Sequence, residues 1–204
     1  FEYWQNKGAS VTAKISQSGI IYACLLTIIV AWVGKLFIAL YLPDQYQLAA
    51  SLVGFATIAM LFKELAELTN IGLLKTQRTK TLLTINLIVT LAMLTLIALA
   101  VQLYPQYSIW LICCGVAFAQ ITRCCIIFIL SQRYKWLPYQ LTEMILFLSL
   151  TLLFVATTWL TDSLLTSIAL VISQVCILLA VAHIYNLIRL PYQHVRKVLQ
   201  RLNV

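Results

Sequence analysis

The sequence predicts an all-α, polytopic transmembrane helical bundle of six spans, with both termini cytoplasmic. Three observations predict it. Of the 204 residues, 62% are hydrophobic and only 10% are charged. The apolar residues come in runs of about 20, the length a helix needs to cross a hydrocarbon core of about 30 Å. The basic residues collect in alternate connections between those runs. Soluble chains average about 45–50% apolar and about 25% charged. With a mean hydropathy of +0.95, this chain carries more apolar surface than globular packing can hide. Lipid can hide it, provided each span satisfies its own backbone as a helix.

Residues 1–19 are polar, with Glu2, Lys7 and Lys14 among Ser, Thr and Gln, and with Phe1, Tyr3 and Trp4 suited to a membrane interface. They read as a cytoplasmic linker. A transmembrane domain over 20–186 follows, and its first span is expected at about 20–42. The tight turn Pro43-Asp44-Gln45 leads into a second span at about 46–65. A charged island, LFKELAELTNIGLLKTQRTKTLLTI over 61–85, separates it from a third span at about 81–103. The uncharged YPQYS turn opens a fourth at about 108–131, and the basic, aromatic QRYKWLPYQ segment precedes a fifth at about 141–160. Thr161-Asp162-Ser163 turns the chain and offers a cap to a sixth, about 163–186. In residues 187–204, Pro191 can start a helix in which Val195, Val198, Leu199 and Leu202 share a face apart from Arg196, Lys197 and Arg201. That is the pattern of a basic amphipathic tail lying on the inner leaflet.

The charges orient the spans. Lys7, Lys14, Lys63, Lys75, Arg78, Lys80, Arg133, Lys135, Arg189, Arg196, Lys197 and Arg201 all fall on one side, leaving only Lys35 and Arg123 of the 14 basic residues, both inside spans. The opposite turns hold Asp44 and Asp162 and no Lys or Arg. Positive charge marks the cytoplasmic face, so both termini are cytoplasmic. The net charge of +8 serves topology and lipid contact rather than nucleic acid, because no soluble domain exists to carry a basic groove. Cys24, Cys113, Cys114, Cys124, Cys125 and Cys176 lie inside apolar runs without CxxC spacing, so neither a metal site nor a disulfide framework is expected. The chain opens at Phe1 without signal-peptide order, which reads as a fragment whose upstream part is missing.

No catalytic residues, cofactors or metal ligands emerge. The outer turns are a few residues long, the inner side lacks an acidic pair or a Gly-rich phosphate loop, and His183 and His194 are the only histidines. What remains is polar residues within spans, which are costly in lipid and so face a cavity or a partner helix. Lys35 lies seven residues from the outer end of its span, about 10 Å deep. It can line a path or snorkel to the headgroups. Arg123 sits deeper, one turn from Gln120, and wants an anion or carbonyl; it can instead pair with Glu143 on the next span or snorkel to the inner surface. Asn86 and Gln174 can bond sugar hydroxyls or neighbouring helices. Glu64 and Glu67, at the inner end of the second span, default to salt bridges with Lys63 or the adjoining loop. No carboxylate lies near the middle of any span, which argues against a cation-coupled drug exporter. Lys35 and Arg123 instead suit a cationic path for phosphate and sugar.

The text IALYLPDQYQLAASLVGFATIAMLFKELAELTNIGLLKTQRTKTLLTINLIVTLAMLTLIAL resembles the second half of a polysaccharide flippase of the multidrug/oligosaccharidyl-lipid/polysaccharide exporter superfamily. The resemblance rests on a short outer turn followed by Tyr46 and Ala49. It continues in the cytoplasmic loop with Gly72, Lys75, Thr76, Thr79 and Lys80, and in Asn86 opening the next span. It covers about residues 20–130, while the last two spans resemble the extra terminal pair of fourteen-span members. One departure is Gly115-Val116-Ala117, which lies inside its span rather than at the entry.

The resemblance implies the C-terminal portion of a multi-pass transporter in a bacterial inner membrane. It would flip a lipid-linked oligosaccharide from the inner to the outer leaflet for cell-surface polysaccharide (lipopolysaccharide) biosynthesis. Lys35 and Arg123 would hold pyrophosphate or acidic sugar; Asn86, Gln120 and Gln174 would contact hydroxyls. The implied partners are that lipid-linked substrate, membrane lipids, the missing N-terminal half of the transporter and the glycan polymerase machinery, with no nucleic acid. Two other readings compete: a glycan polymerase or ligase component, which predicts a large outer loop bearing Arg and His, and a non-catalytic membrane scaffold, which predicts a closed bundle. A single lobe is also expected to fold poorly by itself.

Overall fold

Apolar runs of this length satisfy their backbone most cheaply as helices, and in the computed structural model, which describes residues 2–161 and 163–185, they do. Among the described residues, seven α-helices follow in order: α1 (Glu2–Tyr41), α2 (Gln47–Thr69), α3 (Ile71–Lys75), α4 (Thr79–Leu103), α5 (Ser108–Tyr134), α6 (Leu141–Ala156) and α7 (Leu164–Ile184). Single 3-10 turns sit at Asp44–Tyr46, Pro105–Tyr107 and Thr157–Trp159. Among the described residues, 6 helical segments are long and apolar enough to cross a membrane: Gly8–Tyr41, Gln47–Lys75, Thr79–Leu103, Pro105–Tyr134, Leu141–Trp159 and Leu165–Ile184. The chain has the build of a multi-pass membrane protein.

Two boundaries differ from the sequence reading, both because polar residues continue a buried helical face. The polar stretch expected as a linker up to residue 19 is helical and runs into the first span without a break after Gly8. Thr12, Ser16 and Gln17 are buried and continue the stripe made by Ile20, Cys24, Ile28, Ala31 and Trp32, at helical spacing. Gly8 itself interrupts the helix with φ 79 and ψ 173, a conformation that glycine adopts without a Cβ penalty. The charged island is likewise not an open loop. α2 passes through Lys63, Glu64 and Glu67 as far as Thr69, α3 follows after Asn70, and the chain turns only at Thr76–Arg78. At the sixth span Ser163 gives no side-chain cap. Its carbonyl accepts from the Ser167 amide at 3.0 Å and from the Thr166 and Ser167 hydroxyls. The expected amphipathic tail, with His194, lies outside the described residues, as does Asp162.

α4 stands at one edge of the packing and α7 at another. α2 packs most extensively on α5 and then on α1; α4 leans on α5, α7 on α1, and α6 on α1 with lesser contact to α2. Two cores result. Ile20 and Cys24 meet Leu61, Leu65, Leu73 and Ile127 in one, and Ile28 and Trp32 meet Phe147, Val155, Leu178 and Ala182 in the other. α4 buries only Ile85 and Val89, while Leu83, Leu87, Leu91, Leu94 and Leu99 stay exposed. Such an edge is stable in lipid, where exposed apolar side chains meet tails as apolar as themselves.

Candidate functional site

The polar residues inside the spans gather into two assemblies on different helices. The first joins α2, α4 and α5. Arg123 is half-buried on α5, its Nε donates to Asn86 Oδ1 at 2.7 Å, and its Nη2 donates to Glu67 Oε1 at 2.9 Å. Nη1 reaches Gln120 Oε1 at 3.4 Å, a long and weak bond. The second oxygen of Glu67 accepts from Asn70 Nδ2 at 3.0 Å. Asn70 is 3% exposed, and its side-chain Oδ1 has no partner among the described residues. The guanidinium therefore pairs with Glu67 rather than with Glu143. The reason is that α2 stays helical past residue 65 and lies against α5, whereas α6 packs on α1. The ion pair is lopsided: the Arg123 side chain is 16% exposed and that of Glu67 is 50% exposed. A guanidinium at this depth, 11 residues from the end of α5 and so about 16 Å along the axis, is held by one carboxylate that can swing outward.

The second assembly is at the opposite end. Lys35 Nζ donates to the carbonyl oxygens of Thr158 and Thr161, which close the turn between α6 and α7. A cation there answers carbonyls that the ending helix leaves unpaired. One turn earlier on α1, buried Trp32 donates from Nε1 to Gln174 Oε1 at 2.9 Å, and Gln174 Nε2 donates to Thr157 Oγ1 at 2.8 Å. Trp159 completes the clamp, donating to the Ser51 carbonyl at 2.8 Å and stacking on Phe55 at 4.9 Å. Of the five residues expected along a path, Arg123, Asn86 and Gln120 come together, and Lys35 and Gln174 share this separate clamp.

The loop motif forms the basic end. The Gly72 amide donates to Ser131 Oγ at 2.9 Å, and a Cβ on Gly72 would sit 2.2 Å from the Ser131 carbonyl oxygen, so only glycine lets α3 lie this close to α5. Thr76 Oγ1 donates to the Gly72 carbonyl at 2.9 Å. Gln77, with φ 54, and Arg78 close the turn through their amides to the Leu74 and Leu73 carbonyls. Arg78 lies 4.6 Å above the Tyr134 ring, and Lys80 is exposed in the first turn of α4. Nearby, the segment between α5 and α6 folds inward. The Leu137 amide donates to Gln132 Oε1 at 3.0 Å, and Tyr139 stacks on Phe128 at 5.9 Å. Burial pushes the Tyr139 phenol up from its ordinary value, only partly offset by Ser16.

Sequence reasoning missed Glu67 as the partner of Arg123, Asn70 as the partner of Glu67, and Trp32 and Thr157 as partners of Gln174. The signals were present. A lone deep arginine requires an anion, and Glu67 is in register with it once α2 is run on to Thr69. Trp32 precedes Lys35 by three residues and shares its face. No family model, curated protein or solved structure matches this chain.

Proposed function

We propose that this chain is the C-terminal portion of a transporter that flips a lipid-linked oligosaccharide across a bacterial inner membrane, both termini facing the cytoplasm. The observation that carries the reading is Arg123, an intramembrane guanidinium whose counter-ion is half-exposed and whose remaining donors meet two amides. A pyrophosphate presents paired oxygens that suit the guanidinium fork better than the single oxygen Glu67 now offers. Substrate would displace Glu67, which has water and Asn70 to fall back on. Asn86 and Gln120, which meet the guanidinium through their oxygens, would offer their amide N–H groups to sugar hydroxyls. The uncovered α4 edge supports the same reading, since a lobe of an alternating-access transporter needs a second lobe to close its cavity. Lys35 and Gln174 would keep the outer turn rigid while the lobes rock.

The completeness of the Arg123 network favours one other reading, a scaffold in which the ion pair only holds helices together. Exchanging the pair, Arg123→Glu with Glu67→Arg, separates the two. In a strain lacking its own flippase, the full-length protein carrying the exchange should be made at normal levels yet export little surface glycan, with lipid-linked intermediate trapped inside. Full export by the exchanged protein would establish the scaffold reading.

A further inference from the structure

The cleft between α1 and α2 is a further place where charge and apolar surface meet, apart from the Arg123 and Lys35 assemblies. It is a groove of about 330 Å³ that opens sideways from the bundle, walled by Gly19, Ala23 and Thr27 on α1 and by Met60, Glu64 and Leu68 on α2. Small side chains on α1 make the groove: beside bulky Met60 and Leu68, Ala23 leaves its wall empty. It runs from Gly19 to Val30 along α1, about 16 Å at 1.5 Å per residue, which is the depth of one leaflet of a hydrocarbon core of about 30 Å. Glu64 is the one charged residue in its lining, and it sits toward the basic end, five residues before α2 stops. Among the described residues Glu64 has no hydrogen bond or ion pair, although Lys63 precedes it and Glu67, one turn on, is fully engaged. The expected bridge to Lys63 is absent because Lys63 projects outward, exposed, from the neighbouring face of the helix.

A carboxylate at the headgroup boundary, above an apolar slot one leaflet deep, is complementary to one class of molecule. We infer that this groove binds a phospholipid with a primary ammonium headgroup, in the leaflet on the basic side. One acyl chain lies along Ala23, Thr27 and Met60. The ammonium donates to the Glu64 carboxylate, and exposed Lys63 supplies positive charge for the phosphate. The headgroup requirement follows from hydrogen-bond chemistry. Ethanolamine carries three N–H donors, choline has the charge without donors, and glycerol lacks the charge. The site depends on the spans alone, so it stands whether or not the chain moves glycans.

The test is native mass spectrometry of the full chain in mild detergent, titrated with dioleoyl-phosphatidylethanolamine, -phosphatidylcholine or -phosphatidylglycerol. The unaltered chain should retain phosphatidylethanolamine about tenfold better than phosphatidylglycerol, the worth of one charge-assisted hydrogen bond. Glu64→Gln, which keeps the side chain's shape, should erase that preference while acyl binding persists. Ala23→Leu, which fills the slot, should lose all three lipids. Lipid retention without headgroup preference in the unaltered chain, or an unchanged preference in Glu64→Gln, would overturn the assignment. So would a mass of two chains that excludes lipid, which would show the groove to be a contact between copies.

Discussion

At the scale of single residues, the Arg123 pair shows how burial sets the cost of losing a partner. Removing Glu67 strands a mostly buried guanidinium with two amides, whereas removing Arg123 leaves a half-exposed carboxylate that water and Asn70 can serve. We therefore expect Glu67→Ala to destabilise the purified protein by about 2 kcal/mol and Arg123→Ala by about 1 kcal/mol. Thermal denaturation of both single variants and the double variant checks this, and a ranking in the opposite order would remove the burial argument. Gly72 makes a steric case at the same scale. Gly72→Ala drives a Cβ into the Ser131 backbone and should cost at least about 2 kcal/mol. Ser131→Ala, which deletes only the bond to the Gly72 amide, should cost about 1 kcal/mol.

At the scale of elements, the Lys35–Gln174 clamp binds α1 to the α6–α7 turn through polar contacts buried beneath the apolar surface. Interhelical hydrogen bonds in membranes average about 0.6 kcal/mol and reach about 1.7 kcal/mol. Gln174→Leu breaks two of them and should cost about 1–2 kcal/mol, read as a lower midpoint in a thermal or denaturant titration. The α5–α6 segment adds a pH dependence. With the folded-state value of Tyr139 raised by burial, the neutral phenol is the form that the fold favours. Its contribution is intact below pH of about 10, the unfolded value, and falls away as pH rises through the higher folded one. Tyr139→Phe should flatten the alkaline loss of stability, and it should be neutral or mildly stabilising at pH 7, because the buried hydroxyl has Ser16 nearby but no hydrogen bond of ordinary geometry.

For the whole molecule, the six long apolar helices were legible because hydropathy and length nearly determine such a helix, and the charge pattern predicts a sidedness that can be measured. Cysteines placed at Thr79 and at Gln106 should label from opposite faces with a membrane-impermeant maleimide; labelling from the same face would break the six-span arrangement. The polar assemblies were less legible. Arg123 and Gln174 stood out because each is a costly group in an apolar run, but their partners depend on which helices touch, and hydropathy carries no such information. Every span is apolar nearly all round, so sequence could not say that α2 lies between α1 and α5 while α6 lies on α1. Helix ends failed for the converse reason: Thr12, Ser16 and Gln17 look like linker composition, and only a neighbour that buries them makes them part of a span.

The separation of Glu67 from Arg123 by 56 residues along the chain also bears on biogenesis. If the helices enter a bilayer in chain order, α2 brings its carboxylate before α5 brings the guanidinium, with α4, whose most apolar stretch has a mean hydropathy of 2.5, in between. The counter-charge would then be in place at the basic end before the charge it serves. A chain lacking that carboxylate is expected to seat α5 slowly, leaving a nascent form that quality-control proteases can reach before the helices pack.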